Sequence, residues 1–491
     1  MKFLVHAFEA GSGLYLYDAV TNRIFPVNNR IFENIDNILF DVNASGTPSK
    51  KSSDYLEAFC QIKHSIDKKI IGTNKLNTMH YTFKANNYKR KLLDSIRMLI
   101  LEVTEDCNLR CDYCIYSGNY KDYRCHGSNN MSMSTICSAM NFYKDHNTNV
   151  EQAVISFYGG EPFLHVEKVV NAIEYGHKIF DKPQHYRITT NGTLIDDNFI
   201  DWFIKQTDVS LSITFNGDKG YHDLFRHFRD NTSSYEIIIK NIEKIVSKSS
   251  AAYKNRVSFQ CNYLDWQDIS IINAAFSEHP LLKDKIPRSI TSINKNLEIE
   301  FLDELRSRRN EFFKETASHP TTMDSLILAY INELKVDCDT VLTNIFNKVF
   351  LQIYGRPMYE LKSSFCSINA CEPLVNRLYI NTEGAFNLCE RVGSSNCFGN
   401  IHEGFNYSNI SKMLYEFNEA CKNRCINCWA LRFCQVCYGN VLNNNSIDMN
   451  KLENFCAVMK KNVEFWLKKF CDFMLREGQL LKAYQHKLNL T

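Results

Sequence analysis

Short runs rich in apolar residues alternate with stripes of helical period through the middle of this chain. Met98 to Val103 is one run, Ala153 to Tyr158 a second, Val209 to Phe215 a third and Val257 to Tyr263 a fourth, while Ile188 to Thr190 marks another strand end. Such runs are what strands of a parallel sheet need when helices cover both faces. Between them, Val166, Val169, Val170 and Ile173, then Ile238, Ile242, Ile245 and Val246, recur at helical spacing. Repeated βα units predict an α/β fold built on a full or partial parallel barrel.

The flanks read differently. Lys2 to Phe8, Gly13 to Val20 and Arg23 to Val27 predict strands, with Thr21-Asn22 as a hairpin turn. Asn28 to Phe40 and Asp54 to Ile71 predict helices around a polar linker, Asn43 to Ser53. Together they suggest a small α+β module of winged-helix-like type. Beyond Leu264, helical stretches (Leu297 to Glu315, Met323 to Leu334) lead to a cysteine-rich region. Met459, Val463, Trp466, Phe470 and Phe473 then repeat at spacings of four and three, which predicts a packing face of a last helix. The expected domains are 1–90, 96–357, 358–458 and a terminal helix over 459–491.

Composition narrows the class. A net charge of +2 over 491 residues gives no reason to expect nucleic acid or a polyanionic surface as partner. No secretory h-region and no run long enough to span a membrane is present. Nineteen cysteines, eleven of them between Cys366 and Cys471, point to metal–sulfur ligation in a reducing cytoplasm rather than to disulfides.

The chemistry begins at Cys107, Cys111 and Cys114, a CxxxCxxC triplet just beyond the first barrel strand. Three thiolates on a cube of four irons leave one iron without a protein ligand, where a small molecule can chelate. Strand C-terminal ends are where barrels and open α/β sheets place chemistry. The triplet resembles that of the radical S-adenosylmethionine superfamily. One strand later, Gly159-Gly160-Glu161-Pro162 offers close backbone approach and a carboxylate for an ammonium. The resemblance implies that Gly159, Gly160 and Glu161 contact the methionine amino group and that Tyr113 lies near the adenine. It makes Thr190, Asn191 and Thr214 candidates for polar contacts to the ribose or methionine, and Arg226, in His222-Asp223-Leu224-Phe225-Arg226, a candidate for the carboxylate. Asn216 stands where the family usually has Asp. The implied chemistry is reductive cleavage of S-adenosylmethionine to a 5′-deoxyadenosyl radical that abstracts hydrogen from a substrate, with an external electron donor of flavodoxin or ferredoxin type.

Cys371, Gly384 and Cys389, followed by Cys425, Cys428, Cys434 and Cys437 and then Cys456, resemble the SPASM domain with its two auxiliary [4Fe-4S] clusters. One gap is a residue short of that pattern, between Cys434 and Cys437. The resemblance assigns Cys366, Cys371, Cys389 and Cys437 to one cluster and Cys425, Cys428, Cys434 and Cys456 to the other, making three clusters in all. The remaining cysteines are expected to be buried small hydrophobes, with Cys421, four residues before Cys425, the one closest to a ligand position. Thiolate-rich pairs also suit zinc, so spacing leaves that alternative open.

SPASM enzymes mostly modify peptides, and Gly13 to Ile24 resembles the opening of peptide maturases that carry a leader-recognition module. The expected partner is a ribosomally made precursor peptide with its leader, and the expected product a thioether or carbon–carbon crosslink. Two alternatives stand beside it. An anaerobic sulfatase-maturing enzyme would oxidise Ser or Cys to formylglycine. There Glu390, which follows Cys389 where that family usually has Asp, is the candidate general base. A non-catalytic iron–sulfur carrier or zinc-stabilised binding protein would cleave no S-adenosylmethionine.

Overall fold

The computed structural model describes residues 2–80, 85–120, 123–283, 285–293, 299–315, 321–336, 339–366, 371–393 and 395–488. The N-terminal unit is a three-stranded antiparallel sheet, β1 (Val5–Ala10), β2 (Gly13–Asp18) and β3 (Arg23–Val27), backed by helices Asn29–Ala44 and Ser53–Asp67. Asn22 takes φ +60° at the β2–β3 turn, a conformation Asn tolerates better than most residues. Leu16, Ile31, Ile35, Ile38, Tyr55, Phe59 and Ile62 form a core private to this unit. The other sheet face, through Phe8, Tyr17 and Val20, joins the core of the main body. Strand β4 (Thr78–His80) follows.

The main sheet holds β5 (Met98–Thr104), β6 (Ala153–Gly159), β7 (Gln184–Thr190), β8 (Val209–Thr214), β9 (Val257–Tyr263) and β10 (Ser289–Ser292) in parallel, each beside its predecessor. The apolar runs foretold four of these strands, and the strand end at Ile188–Thr190 a fifth. The last, Ser289–Ser292, was missed because its four residues are mostly polar and half-buried at a sheet edge. The helix Val341–Tyr354 also went unread, although it packs beside Met323–Lys335.

Beyond β5 the sheet continues into the cysteine-rich region. After β11 (Ser364–Cys366), which pairs with β4, come β12 (Leu378–Ile380) and β13 (Phe386–Asn387). They form the expected hairpin, with Gly384 at φ +88° in its turn. Strand β12 lies parallel to β5, Leu378 against Leu99 and Ile380 against Leu101. The eight-stranded order is therefore β10-β9-β8-β7-β6-β5-β12-β13, a partial barrel extended by the auxiliary hairpin.

A buried polar knot locks that junction. Glu102 on β5 accepts from the Tyr116 hydroxyl, and the Thr382 N–H donates to it at 3.3 Å. Arg124 Nε lies 3.7 Å from the same carboxylate, its guanidinium stacks 4.4 Å from the Tyr379 ring, and its Nη1 donates to the Glu390 carbonyl at 2.6 Å. The final helix, Met449–Leu488, starts ten residues before the apolar stripe suggested, so Cys456 lies in its early turns, and Glu477 kinks it. Val463, Phe470 and Phe473 are buried as expected, with Phe473 stacked on Phe350 at 5.1 Å. Met459 departs from the expectation and lines the central cavity. Among the described residues no helix is long and apolar enough to cross a membrane.

Removing the Glu102 carboxylate leaves Arg124 buried without its counter-charge. Glu102→Ala is expected to cost about 3–5 kcal/mol, measured by urea denaturation, whereas Glu383→Ala on the exposed hairpin turn is expected to leave the midpoint nearly unchanged.

Candidate active site

The loop carrying Cys107, Cys111 and Cys114 leaves the C-terminal end of β5 and folds over the barrel mouth, where all three thiols line a cavity of about 1140 Å³. The Gly159–Gly160 pair at the end of β6 permits this approach. A Cβ on Gly160 would lie 2.0 Å from the Asp106 carbonyl oxygen, and one on Gly159 would lie 2.3 Å from that of Thr104. Instead, the Gly160 N–H donates to Thr104 and the Glu161 N–H to Asp106, each at 2.8 Å, pinning the loop to the strand end.

Glu161 is buried, and three donors hold its carboxylate. Oε1 accepts from the Thr190 hydroxyl at 2.7 Å and the Phe163 N–H at 3.0 Å, and Oε2 from the Asn191 N–H at 2.6 Å. A carboxylate offers about four lone-pair positions, so one stays available. Burial pushes its carboxyl up to about 6, against the opposing pull of those hydrogen bonds. Thr190, expected to reach a ligand, thus has its hydroxyl proton committed to Glu161. Asn191 likewise turns to the cysteine loop, donating to Asn108 Oδ1 at 2.8 Å and toward Cys107 Sγ at 3.8 Å. Thr214 lines the cavity.

Across the mouth, Tyr113 and Arg226 are coupled. Arg226 Nη1 donates to the Tyr113 hydroxyl at 2.9 Å, and Asn216 Nδ2 does so at 2.7 Å, so Asn216 orients Tyr113 without the acid its position usually carries. Arg226 is buried, yet its Nε and Nη2 have no partner. An orphaned buried guanidinium edge beside a carboxylate with one open position fits a zwitterionic amino acid. Burial pushes all three loop thiols up, Cys114 to about 12, so a metal must displace their protons on binding. The donor set and its surroundings fit a thiolate-held cluster with a chelating amino acid.

The second constellation gathers in two groups. Cys371 and Cys437 are hydrogen-bonded through their thiols, with Cys389 close to both, so the short gap before Cys437 does not displace it. Cys366 ends β11, its side chain lying outside the described residues. Cys425, Cys428, Cys434 and Cys456 form the other group. Cys421 was set aside in the sequence, yet its buried thiol hydrogen-bonds that of Cys425 and lies near Cys434 and Cys456. Its spacing of four from Cys425 on one helix was the available signal. Cys60 and Cys125 are exposed rather than buried, and Cys338 lies outside the described residues. Glu390 lines the cavity, but its Oε1 accepts from Arg377 Nη1 at 2.6 Å. That ion pair beside Cys389 suits a cluster-adjacent carboxylate better than a free base.

Residues 101–253 match the Radical SAM superfamily. These residues are a radical SAM domain, and the chain is an enzyme that uses S-adenosylmethionine. Over 410 residues it is 23% identical to the radical SAM cyclopropyl synthase TigE of Paramaledivibacter caminithermalis, covering 78% of each chain. It is 28% identical over 169 residues to a cysteine-type anaerobic sulfatase-maturating enzyme of Clostridium novyi, a match spanning 33% of this chain and 43% of that one. The solved structure of native anSMEcpe with bound AdoMet shares the fold at TM-score 0.53 and 17% identity, covering 79% of this chain and 98% of that one. In this chain the cysteine loop and residues of the cysteine-rich region line one cavity. S-adenosylmethionine and a [4Fe-4S] cluster are the cofactors that this family uses.

Because the Gly160 contact is with backbone, a methyl there cannot be absorbed by a rotamer change. Gly160→Ala is expected to destabilise the apoprotein by about 1–3 kcal/mol in urea denaturation and to lower the iron retained after anaerobic reconstitution.

Proposed function

We propose that this enzyme matures a ribosomally made precursor peptide, joining two of its residues by a thioether or carbon–carbon bond. One observation carries the peptide reading: the N-terminal unit has its own core and one open sheet edge. Strand β1 is covered, His6 stacking on Trp429 at 3.7 Å and pairing with Glu464 at 3.0 Å, while the Ser12 N–H donates to Asp472 at 2.7 Å. Strand β3 pairs with β2 alone among the described residues, so its outer edge can accept an added peptide strand. A leader docked there would tether the segment to be modified. TigE, matched over most of both chains, is a cyclopropyl synthase, which favours bond formation over the shorter alignments to sulfatase maturases.

In this reading Cys107, Cys111 and Cys114 hold the first cluster, Glu161 takes an ammonium, Arg226 a carboxylate, and Tyr113 borders the adenine. Cys366, Cys371, Cys389 and Cys437 hold one auxiliary cluster, and Cys425, Cys428, Cys434 and Cys456 the other. When bound, these groups supply a 5′-deoxyadenosyl radical for hydrogen abstraction and a path for the electron left behind. The chain's own work is positioning. Thr190 and Asn191 aim Glu161, and Asn216 and Arg226 aim Tyr113. The cavity exceeds the roughly 300–1,000 Å³ of a single small-molecule site, leaving room for a substrate segment beside the cofactor. An external flavodoxin- or ferredoxin-type donor would supply the electrons in a reducing cytoplasm.

Anaerobic reconstitution is expected to load about twelve irons, about four per cube. With reductant, S-adenosylmethionine and the short peptide encoded beside the gene, mass spectrometry should show 5′-deoxyadenosine and a loss of about two mass units per bond formed. Formylglycine on a sulfatase peptide instead would replace this reading.

Glu161 also sets a pH limit. Burial pushes its carboxyl up to about 6, and only the ionised form is free to accept a hydrogen bond from the amino group through both oxygens. Affinity for S-adenosylmethionine, by anaerobic equilibrium dialysis, is therefore expected to be about tenfold lower at about pH 5 than at about pH 7.

A further inference from the structure

The inner wall of the barrel carries charge that the cofactor site does not use. Parallel barrels usually fill their interior with bulky branched side chains. Here the cavity runs down into the barrel past Ser156 on β6, Ser212 on β8 and Gln260 on β9, small or polar residues that leave the space open. Arg187 on β7, level with Ser156 and Ser210 on the neighbouring strands, lines it, as does Arg288 just before β10 at the sheet's open edge.

Neither arginine has an ion-pair partner among the described residues, and Arg187 Nε is buried with no hydrogen-bond acceptor. Burial, together with the neighbouring Arg288 and Arg377, pulls the Arg187 guanidinium down to about 10. The nearby acid, Glu390, pairs through Oε1 with Arg377 at 2.6 Å, its Oε2 making no hydrogen bond, and it forms no ion pair with Arg187 or Arg288 among the described residues. Arg187, half-buried in the wall, and Arg288, exposed at the sheet edge, line one cavity without an ion-pair partner and offer a site for an anion. It is not the amino-acid end of the cofactor. Arg187 lies three residues below Thr190 on β7, about 10 Å deeper at roughly 3.3 Å per residue, while Arg226 and Glu161 serve the mouth.

We infer that Arg187 and Arg288 form a carboxylate-recognition subsite that anchors an acidic group of the peptide substrate inside the barrel. The inference rests on the peptide reading above and names a specificity that the reading alone does not. The planar guanidinium suits two-point recognition of a carboxylate, supplied by an Asp or Glu side chain or by the peptide's C-terminus. Such a contact would fix which stretch of peptide faces the radical source.

The test uses reconstituted, unreduced holoenzyme with S-adenosylmethionine and three probes: acetyl-Ala-Glu-Ala-amide, acetyl-Ala-Gln-Ala-amide and acetyl-Ala-Gln-Ala with a free C-terminus. Anaerobic calorimetry is expected to show at least one carboxylate probe binding about tenfold or more tighter than the neutral one, consistent with a charge-assisted hydrogen bond. Which acid wins identifies the source. Arg187→Gln should erase the preference and Arg187→Lys should keep part of it. Should the glutamine variant fold poorly, wild-type protein suffices: the preferred acid should slow phenylglyoxal modification of Arg187, mapped by mass spectrometry, several-fold. Equal affinity for all three probes, no binding of either acid at millimolar concentration, or unslowed modification overturns the subsite. Release of 5′-deoxyadenosine by the same preparation is read separately, so failure of the subsite and failure of the radical-enzyme reading remain distinguishable.

Discussion

Parallel pairing of β12 with β5 is the constraint on which the rest of this molecule depends. Strand β5 ends in the cysteine loop, and β12 opens the hairpin that carries Cys389. With Leu378 in register with Leu99, Arg377 and Glu390 of the hairpin region line the same cavity as the three loop thiols. A register slip of one residue would turn the hairpin's side chains to the opposite face. The buried Glu102 carboxylate guards against that slip, since it collects Tyr116 from the loop and Thr382 from the hairpin, with Arg124 alongside. Local apolar pairing sets the register, the polar knot makes it unique, and the shared cavity follows.

The barrel mouth shows how little freedom the site has. Gly159 and Gly160 let the loop touch the end of β6, and that contact fixes where Glu161 stands. Glu161 then organises Thr190 and Asn191, and Asn191 reaches back toward Cys107. The chain closes a ring of contacts from cysteine loop to β6 to β7 and back. Two groups are left with unused capacity, one lone-pair position on Glu161 and one edge of Arg226, and their charges are opposite. Pre-organisation of this sort places the cost of desolvating charge in folding rather than in binding.

Much of this was legible in the sequence. Strands covered on both faces leave apolar-rich runs, which marked four of the six barrel strands, and a strand end at Ile188–Thr190 marked a fifth. The cysteine spacings pointed to the loop triplet and to the downstream groups of thiols that the fold brings together. What escaped notice lacked a periodic signal. Strand Ser289–Ser292 is polar and sits at an edge, so no hydrophobic pattern marks it. That the Thr190 hydroxyl donates to Glu161 had no signal in the sequence, because a polar residue at a strand end serves a neighbour or a ligand equally well. Arg187 looked like any charged residue within a strand, since its isolation depends on serines two strands' widths apart. Cys421 could have been found from its helical spacing to Cys425.

The central claim is that the loop of Cys107, Cys111 and Cys114 holds a cluster whose open iron is chelated by S-adenosylmethionine between Glu161 and Arg226. Electron–nuclear double resonance on the reduced, anaerobically reconstituted enzyme addresses it directly, using S-adenosylmethionine labelled with nitrogen-15 at its amino group. A resolved nitrogen-15 hyperfine coupling to the cluster is the result this account predicts. A cluster signal with no such coupling, at concentrations where dialysis shows S-adenosylmethionine bound, would contradict it.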